Sequence, residues 1–125
     1  MYRIHEIGKD AEEKAAEWFL SRKKARLLAR NYRCKWGEID LIFEEDVRSN
    51  SVLEIVFIEV KARAMRSLVD GPHSVGWKKQ KRLGRTATHF LEKYKGTARS
   101  VRFDLLYWNG EIWGYLPNIW FDSQL

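Results

Sequence analysis

The 125 residues include a single cysteine, Cys34. No disulfide can therefore form within the chain, and this usage fits a reducing compartment. Only two prolines occur, Pro72 and Pro117, and no linker, internal repeat or low-complexity tract divides the sequence. No uncharged apolar run approaches the ~20 residues that a membrane-spanning helix needs. The opening MYRIHEIGKDAEEKAAE carries too many charges for a signal peptide. His5, His73 and His89 are scattered without metal-ligand spacing. These absences lead us to expect a cytoplasmic protein with no membrane partner. The length suits a single domain over residues 1–125. A content of 45% hydrophobic and 32% charged residues is globular rather than disordered.

What the chain does have is basic charge, concentrated in one place. Residues 1–59 hold 11 basic and 12 acidic side chains, whereas residues 60–95 hold 10 basic and 2 acidic ones. A concentrated basic segment points to a polyanionic partner, most often nucleic acid. The alternative is a solvated helix face that happens to be basic.

Periodicity supplies the elements. Ile7, Ala11, Ala15 and Phe19, with Trp18 beside them, predict a helix over 5–24. Short strands follow at Leu27–Arg33 and Ile39–Phe43. The polar stretch 44–51 reads as a loop, and Val52–Lys61 as a long strand, so residues 39–61 form a hairpin. After a loop over 62–74 containing Gly71 and Pro72, Ser74 is placed to cap a helix running to about Lys95, ended by Gly96. Its apolar positions are Leu83, Ala87, Phe90, Leu91 and Tyr94. Val101–Trp108 and Glu111–Tyr115 are strands joined at Asn109-Gly110, a two-residue turn signal. The tail LPNIWF is expected to pack back on the core. The order implies an α/β fold, a mixed sheet with helices against it.

Closing the hairpin symmetrically over its loop sets Asp40 across from Glu59 and Glu38 across from Lys61. One face is then wholly apolar, with Ile39, Leu41 and Phe43 against Val60, Ile58 and Val56. The other carries Ile42 and Phe57 at one end and four charges at the other. Two carboxylates ~5 Å apart repel each other. One remedy is for Lys61 to pair with Glu38 while Asp40 and Glu59 share a proton or a cation. The other is a divalent metal, since Mg²⁺ typically binds one or two carboxylates plus waters and phosphates. Lys61 would then act on the attacking water or on the phosphate. Lys78, Lys79, Lys81, Arg82 and Arg85 lie on overlapping faces of the second helix, where they suit phosphate contacts. Trp36 and Trp77 are candidates for base stacking, and Cys34 reads as structural.

Gly8 and Glu12 in G-x-x-x-E, Arg30-Asn31, GEIDLI at 37–42, FIEVKAR at 57–63, KQKRL at 79–83 and RFD at 102–104 together resemble the YraN family. Its members are small bacterial proteins with a PD-(D/E)XK restriction-endonuclease-like fold, similar to archaeal Holliday-junction resolvases. The resemblance implies a mixed central β-sheet flanked by helices. It also implies Asp40 and Glu59 as metal carboxylates, Val60 as a carbonyl ligand, Lys61 as the catalytic lysine and Glu12 as a further acidic ligand. Glu38 and Gln80 are supporting residues, and Arg63 joins the basic helix in contacting nucleic acid. The implied cofactor is Mg or Mn. The implied partner is nucleic acid, with DNA favoured over RNA. Junction-cleaving relatives are dimers, so a homodimer through the apolar C-terminal hairpin is expected by analogy. The leading function is a metal-dependent endonuclease-like protein hydrolysing phosphodiester bonds in nucleic acid, with structured or branched DNA one candidate substrate. The alternatives are a non-catalytic nucleic-acid-binding module or a protein-interaction domain.

Overall fold

The computed structural model describes residues 4–48, 52–62 and 77–119, with side chains described from Asp10 onward and excepting Trp77. Expectations that fell on Arg63, Gly71, Pro72, His73 and Ser74 lie outside these residues. So do those on the side chains of His5, Ile7 and Trp77 and on the last part of the apolar tail.

Seven elements follow in the order α1 (Ile4–Arg22), β1 (Ala25–Cys34), β2 (Gly37–Asp46), β3 (Leu53–Lys61), α2 (Trp77–Lys93), β4 (Ser100–Trp108) and β5 (Trp113–Leu116). The strands form one sheet in the order β1-β2-β3-β4-β5. Its neighbours pair antiparallel except β3 and β4, which are parallel. A parallel neighbour needs a crossover connection, and the connection from β3 to β4 contains α2. The result is the mixed α/β sheet flanked by helices that was expected of a restriction-endonuclease-like fold.

Each face of the sheet is buried under one helix. Ala15, Ala16 and Phe19 of α1 pack on Leu41, Phe43, Val56, Ile58 and Leu106. The small alanines let α1 approach closely, and Phe19 lies 4.5 Å, centroid to centroid, from Phe43. On the other face, Leu83 and Ala87 of α2 cover Ile39, Ile42, Ile55, Phe57 and Phe103. Residues buried on both faces give β2 and β3 their near-continuous apolar runs.

The hairpin register is the expected one. Leu41 pairs with Ile58, Ile42 with Phe57 and Phe43 with Val56. Three expectations differ from the structure. First, Glu44 and Glu45 are not loop residues. They continue β2 and are buried, because Glu44 meets Arg26 and Tyr94 and Glu45 meets Arg102. Local polarity reads as a loop only while those partners, distant in sequence, are unseen. Second, Ile39 packs under α2 with Ile42 and not with Leu41. Strict alternation fails where the β1–β2 pairing steps over Asn31, which has a left-handed φ of 51°. Third, the last hairpin turns through four residues, 109–112. Asn109 Oδ1 accepts the Glu111 and Ile112 amides at 2.8 and 2.9 Å, so β5 begins at Trp113. The tail packs back as expected as far as it is described: the Ile119 amide donates to the Phe103 carbonyl at 2.8 Å.

Candidate active site

The start of β2 and the end of β3 come together at one end of the sheet, and the charged residues collect there. Gly37 opens β2 with φ at +149°, a conformation that L side chains rarely adopt. That strand entry delivers Glu38 and Asp40. Backbone pairing between β2 and β3 ends at Leu41–Ile58. Just beyond it, the Val60 amide donates to Asp40 Oδ2 at 2.8 Å. A side-chain carboxylate thus takes a strand N–H, which anchors Asp40 against the partner strand.

Asp40 is held well above the ordinary carboxylate range, at about 8. Burial is the main cause and the charge of Glu59 the next. The Val60 hydrogen bond opposes them, and Glu12 and Glu38 add to the rise. Glu12, on the inner side of α1, is also raised, chiefly by burial. A hydrogen bond from the Asn31 side chain offsets this in part, while Glu38 and Glu59 add negative charge. The Arg30-Asn31 pair is therefore part of this constellation: Asn31 takes the left-handed turn that short amide side chains tolerate and binds Glu12.

Two lysines converge on Glu59. Lys79 Nζ donates to Oε1 at 2.7 Å from the first turn of α2, and Lys61 Nζ lies 3.8 Å from the same oxygen. Lys61 is held below the usual ammonium range by burial, and the neighbouring Lys79 adds to this. Burial alone would lower Lys79 as well, but its hydrogen bond to Glu59 outweighs that and leaves it raised.

Two placements differ from expectation. Glu38 does not pair with Lys61. It is half exposed and bound by Arg33 Nε at 2.7 Å, its neighbour across the β1–β2 hairpin. Lys79 does not face outward with its basic neighbours. Lys79, Leu83 and Ala87 recur every four residues, so Lys79 shares the core-facing stripe of α2. That spacing is legible in the sequence and was the signal for its position. Gln80 follows it, half-buried on the same turn. Lys78, Lys81, Arg82 and Arg85 are exposed. Arg85 lies over the Trp36 ring at 4.6 Å and Lys35 over the same ring at 5.0 Å, at the β1–β2 turn.

Carboxylate oxygens and the Val60 carbonyl are hard donors of the kind that Mg²⁺ and Mn²⁺ take. Among the described residues, no three His, Cys, Asp or Glu side chains are gathered closely enough to hold a metal ion. Asp40 and Glu59 thus make a two-carboxylate set. That is a number with which Mg²⁺ is commonly held when water and phosphate complete its shell.

The profile of the Uncharacterised protein family UPF0102 matches residues 12–107. This chain belongs to that family, the YraN family. Similar chains include a UPF0102 protein of Nitrosomonas europaea, 42% identical over 103 residues, covering 82% of this chain and 80% of the relative. One from Caldicellulosiruptor saccharolyticus is 41% identical, covering 81% and 80%. One from Fusobacterium nucleatum is 33% identical over 119 residues and 94% of each chain. The matched span contains Glu12, Asp40, Glu59, Lys61, Lys79 and the RFD segment. No helix of the described residues is long and apolar enough to cross a membrane.

Proposed function

We propose that this YraN-family protein is a metal-dependent endonuclease that hydrolyses phosphodiester bonds in nucleic acid, with structured or branched DNA among its candidate substrates. The observation that supports this most is the grouping of Asp40, Glu59 and Lys61 at one end of the sheet. There the charge of Glu59 helps to raise Asp40, and Lys61 lies 3.8 Å from Glu59. Asp40, Glu59 and the Val60 carbonyl would hold Mg²⁺ or Mn²⁺, with Glu12 adding its negative charge from α1. When bound, the cation supplies Lewis-acid polarisation of a phosphoryl oxygen and activation of water. Lys61, partly shielded from solvent, stabilises negative charge on the phosphate or takes a proton from the attacking water. The exposed Lys78, Lys81, Arg82 and Arg85 contact backbone phosphates without reading sequence.

The test is a cleavage screen over branched, duplex and single-stranded substrates with Mg²⁺ or Mn²⁺. Glu59→Ala is expected to abolish cutting while circular dichroism stays native. Cutting that survives Glu59→Ala sinks the site assignment.

A second reading, a non-catalytic nucleic-acid-binding module, is favoured by one observation. The exposed basic face of α2 and the Trp36 platform make no use of the carboxylates. That reading predicts binding with steep salt dependence and no cleavage with any divalent cation.

A further inference from the structure

We propose that Lys79 is a positioning residue that acts as a built-in stand-in for the divalent cation: it occupies Glu59 until a cation displaces it. The inference rests on the cation reading of Asp40 and Glu59 given above.

Three observations carry it. Lys79 Nζ binds Glu59 Oε1 at 2.7 Å, which is charge-assisted hydrogen-bond distance. Lys61 reaches the same oxygen only at 3.8 Å, so Lys79 is the principal cationic partner of that carboxylate. Lys79 comes from a different element, α2, and its side chain is 38% exposed against 14% for Glu59. The ammonium can therefore turn outward to solvent or phosphate while Glu59 stays in place on β3. Charge also disfavours simultaneous occupancy: a cation bonded to Glu59 Oε1 would have two ammonium groups against it.

Two roles for Lys79 predict opposite signs. A lysine that merely orients Glu59 would aid cation binding, and its removal would weaken it. A lysine that competes for Glu59 opposes cation binding, and its removal tightens it. The exchange involves no bond-making beyond coordination: one ammonium leaves the carboxylate and one divalent ion takes its place.

The experiment is calorimetric titration of the full chain with Mn²⁺ alone. Lys79→Gln is expected to tighten Mn²⁺ binding by roughly tenfold, the scale of one charge-assisted hydrogen bond. The metal-free melting temperature should fall, because Glu59 loses its counter-charge, and Mn²⁺ should then raise it by more than in the wild type. Lys93→Gln, a charge removed from the exposed last turn of α2, should leave Mn²⁺ affinity unchanged. If Lys79→Gln unfolds, Lys79→Met keeps the aliphatic stem and should show the same sign. Equal or weaker Mn²⁺ affinity in the Lys79 variants overturns the inference alone. No Mn²⁺ binding by wild type and variants alike overturns the cation reading together with it.

Discussion

Asp40 accepts the backbone amide of Val60 at 2.8 Å, across two strands whose ladder has just ended at Leu41–Ile58. An amide that β3 would ordinarily commit to its neighbour is given to a side chain instead. The carboxylate is thereby fixed beside Glu59, although like charges in that position destabilise a sheet.

The metal-free protein should register the burial of Asp40, and its proximity to Glu59, as a pH dependence. Asp40 titrates at about 8 in the fold, against 3.8 for a free aspartate. The fold therefore favours its neutral form. The stability associated with that preference is fully present below pH 3.8 and is lost as pH rises through 8. In that window this one group should lower stability by up to about 1.4 kcal/mol per pH unit. Asp40→Asn keeps an oxygen for the Val60 amide and removes the slope. Urea denaturation from pH 5 to 8 without divalent ions should show the variant gaining on the wild type as pH rises. A difference that stays constant with pH contradicts the raised Asp40.

Arg102 should prove to be a stability residue. Its guanidinium meets Glu45 at 2.5 Å, Glu54 at 2.6 Å and Asp104 at 3.0 Å, and Asp104 is fully buried. Asp104 also accepts from Tyr115 Oη at 2.5 Å and the Asn118 amide at 2.9 Å. One cation thus ties β2, β3 and β4 together, and Asp104 adds β5. Arg102→Met leaves three carboxylates without their counter-charge, and a loss of about 3–5 kcal/mol in denaturant unfolding is expected. Tyr115→Phe, which removes a hydrogen bond to the buried Asp104 carboxylate, should cost about 1.5–3 kcal/mol. Unchanged stability of Arg102→Met would remove this role.

Trp36 should discriminate between nucleic-acid forms. The residue is 37% exposed at the β1–β2 turn, and Arg85 and Lys35 lie over its ring. A base that stacks there takes the place of a cation over the ring and frees it for a neighbouring phosphate, whereas a paired base keeps its faces inside the duplex. Trp36→Ala is expected to weaken single-stranded DNA binding by about 1–3 kcal/mol, and blunt duplex binding much less, by fluorescence anisotropy. Equal losses for both forms would argue for simple electrostatics.

Much of this was legible in the sequence by itself. The α/β class, the hairpin register as far as Leu41–Ile58, and the family resemblance in GEIDLI and FIEVKAR all follow from local order. Side-chain alternation, helical spacing and turn chemistry act between near neighbours, so a linear reading captures them. Charge partners are different, because they are settled by which surfaces meet in three dimensions. Glu44 and Glu45 looked like loop because Arg26, Tyr94 and Arg102 lie far away in sequence. Lys79 looked like one more phosphate-binding lysine until α2 packed on the sheet and set it against Glu59, and pairing with Lys61 was one of two remedies for Glu38, which is bound instead by Arg33. Burial and Coulomb energy depend on distances through space, so the pKa of Asp40 and the lysine that holds Glu59 were decided by the tertiary structure alone.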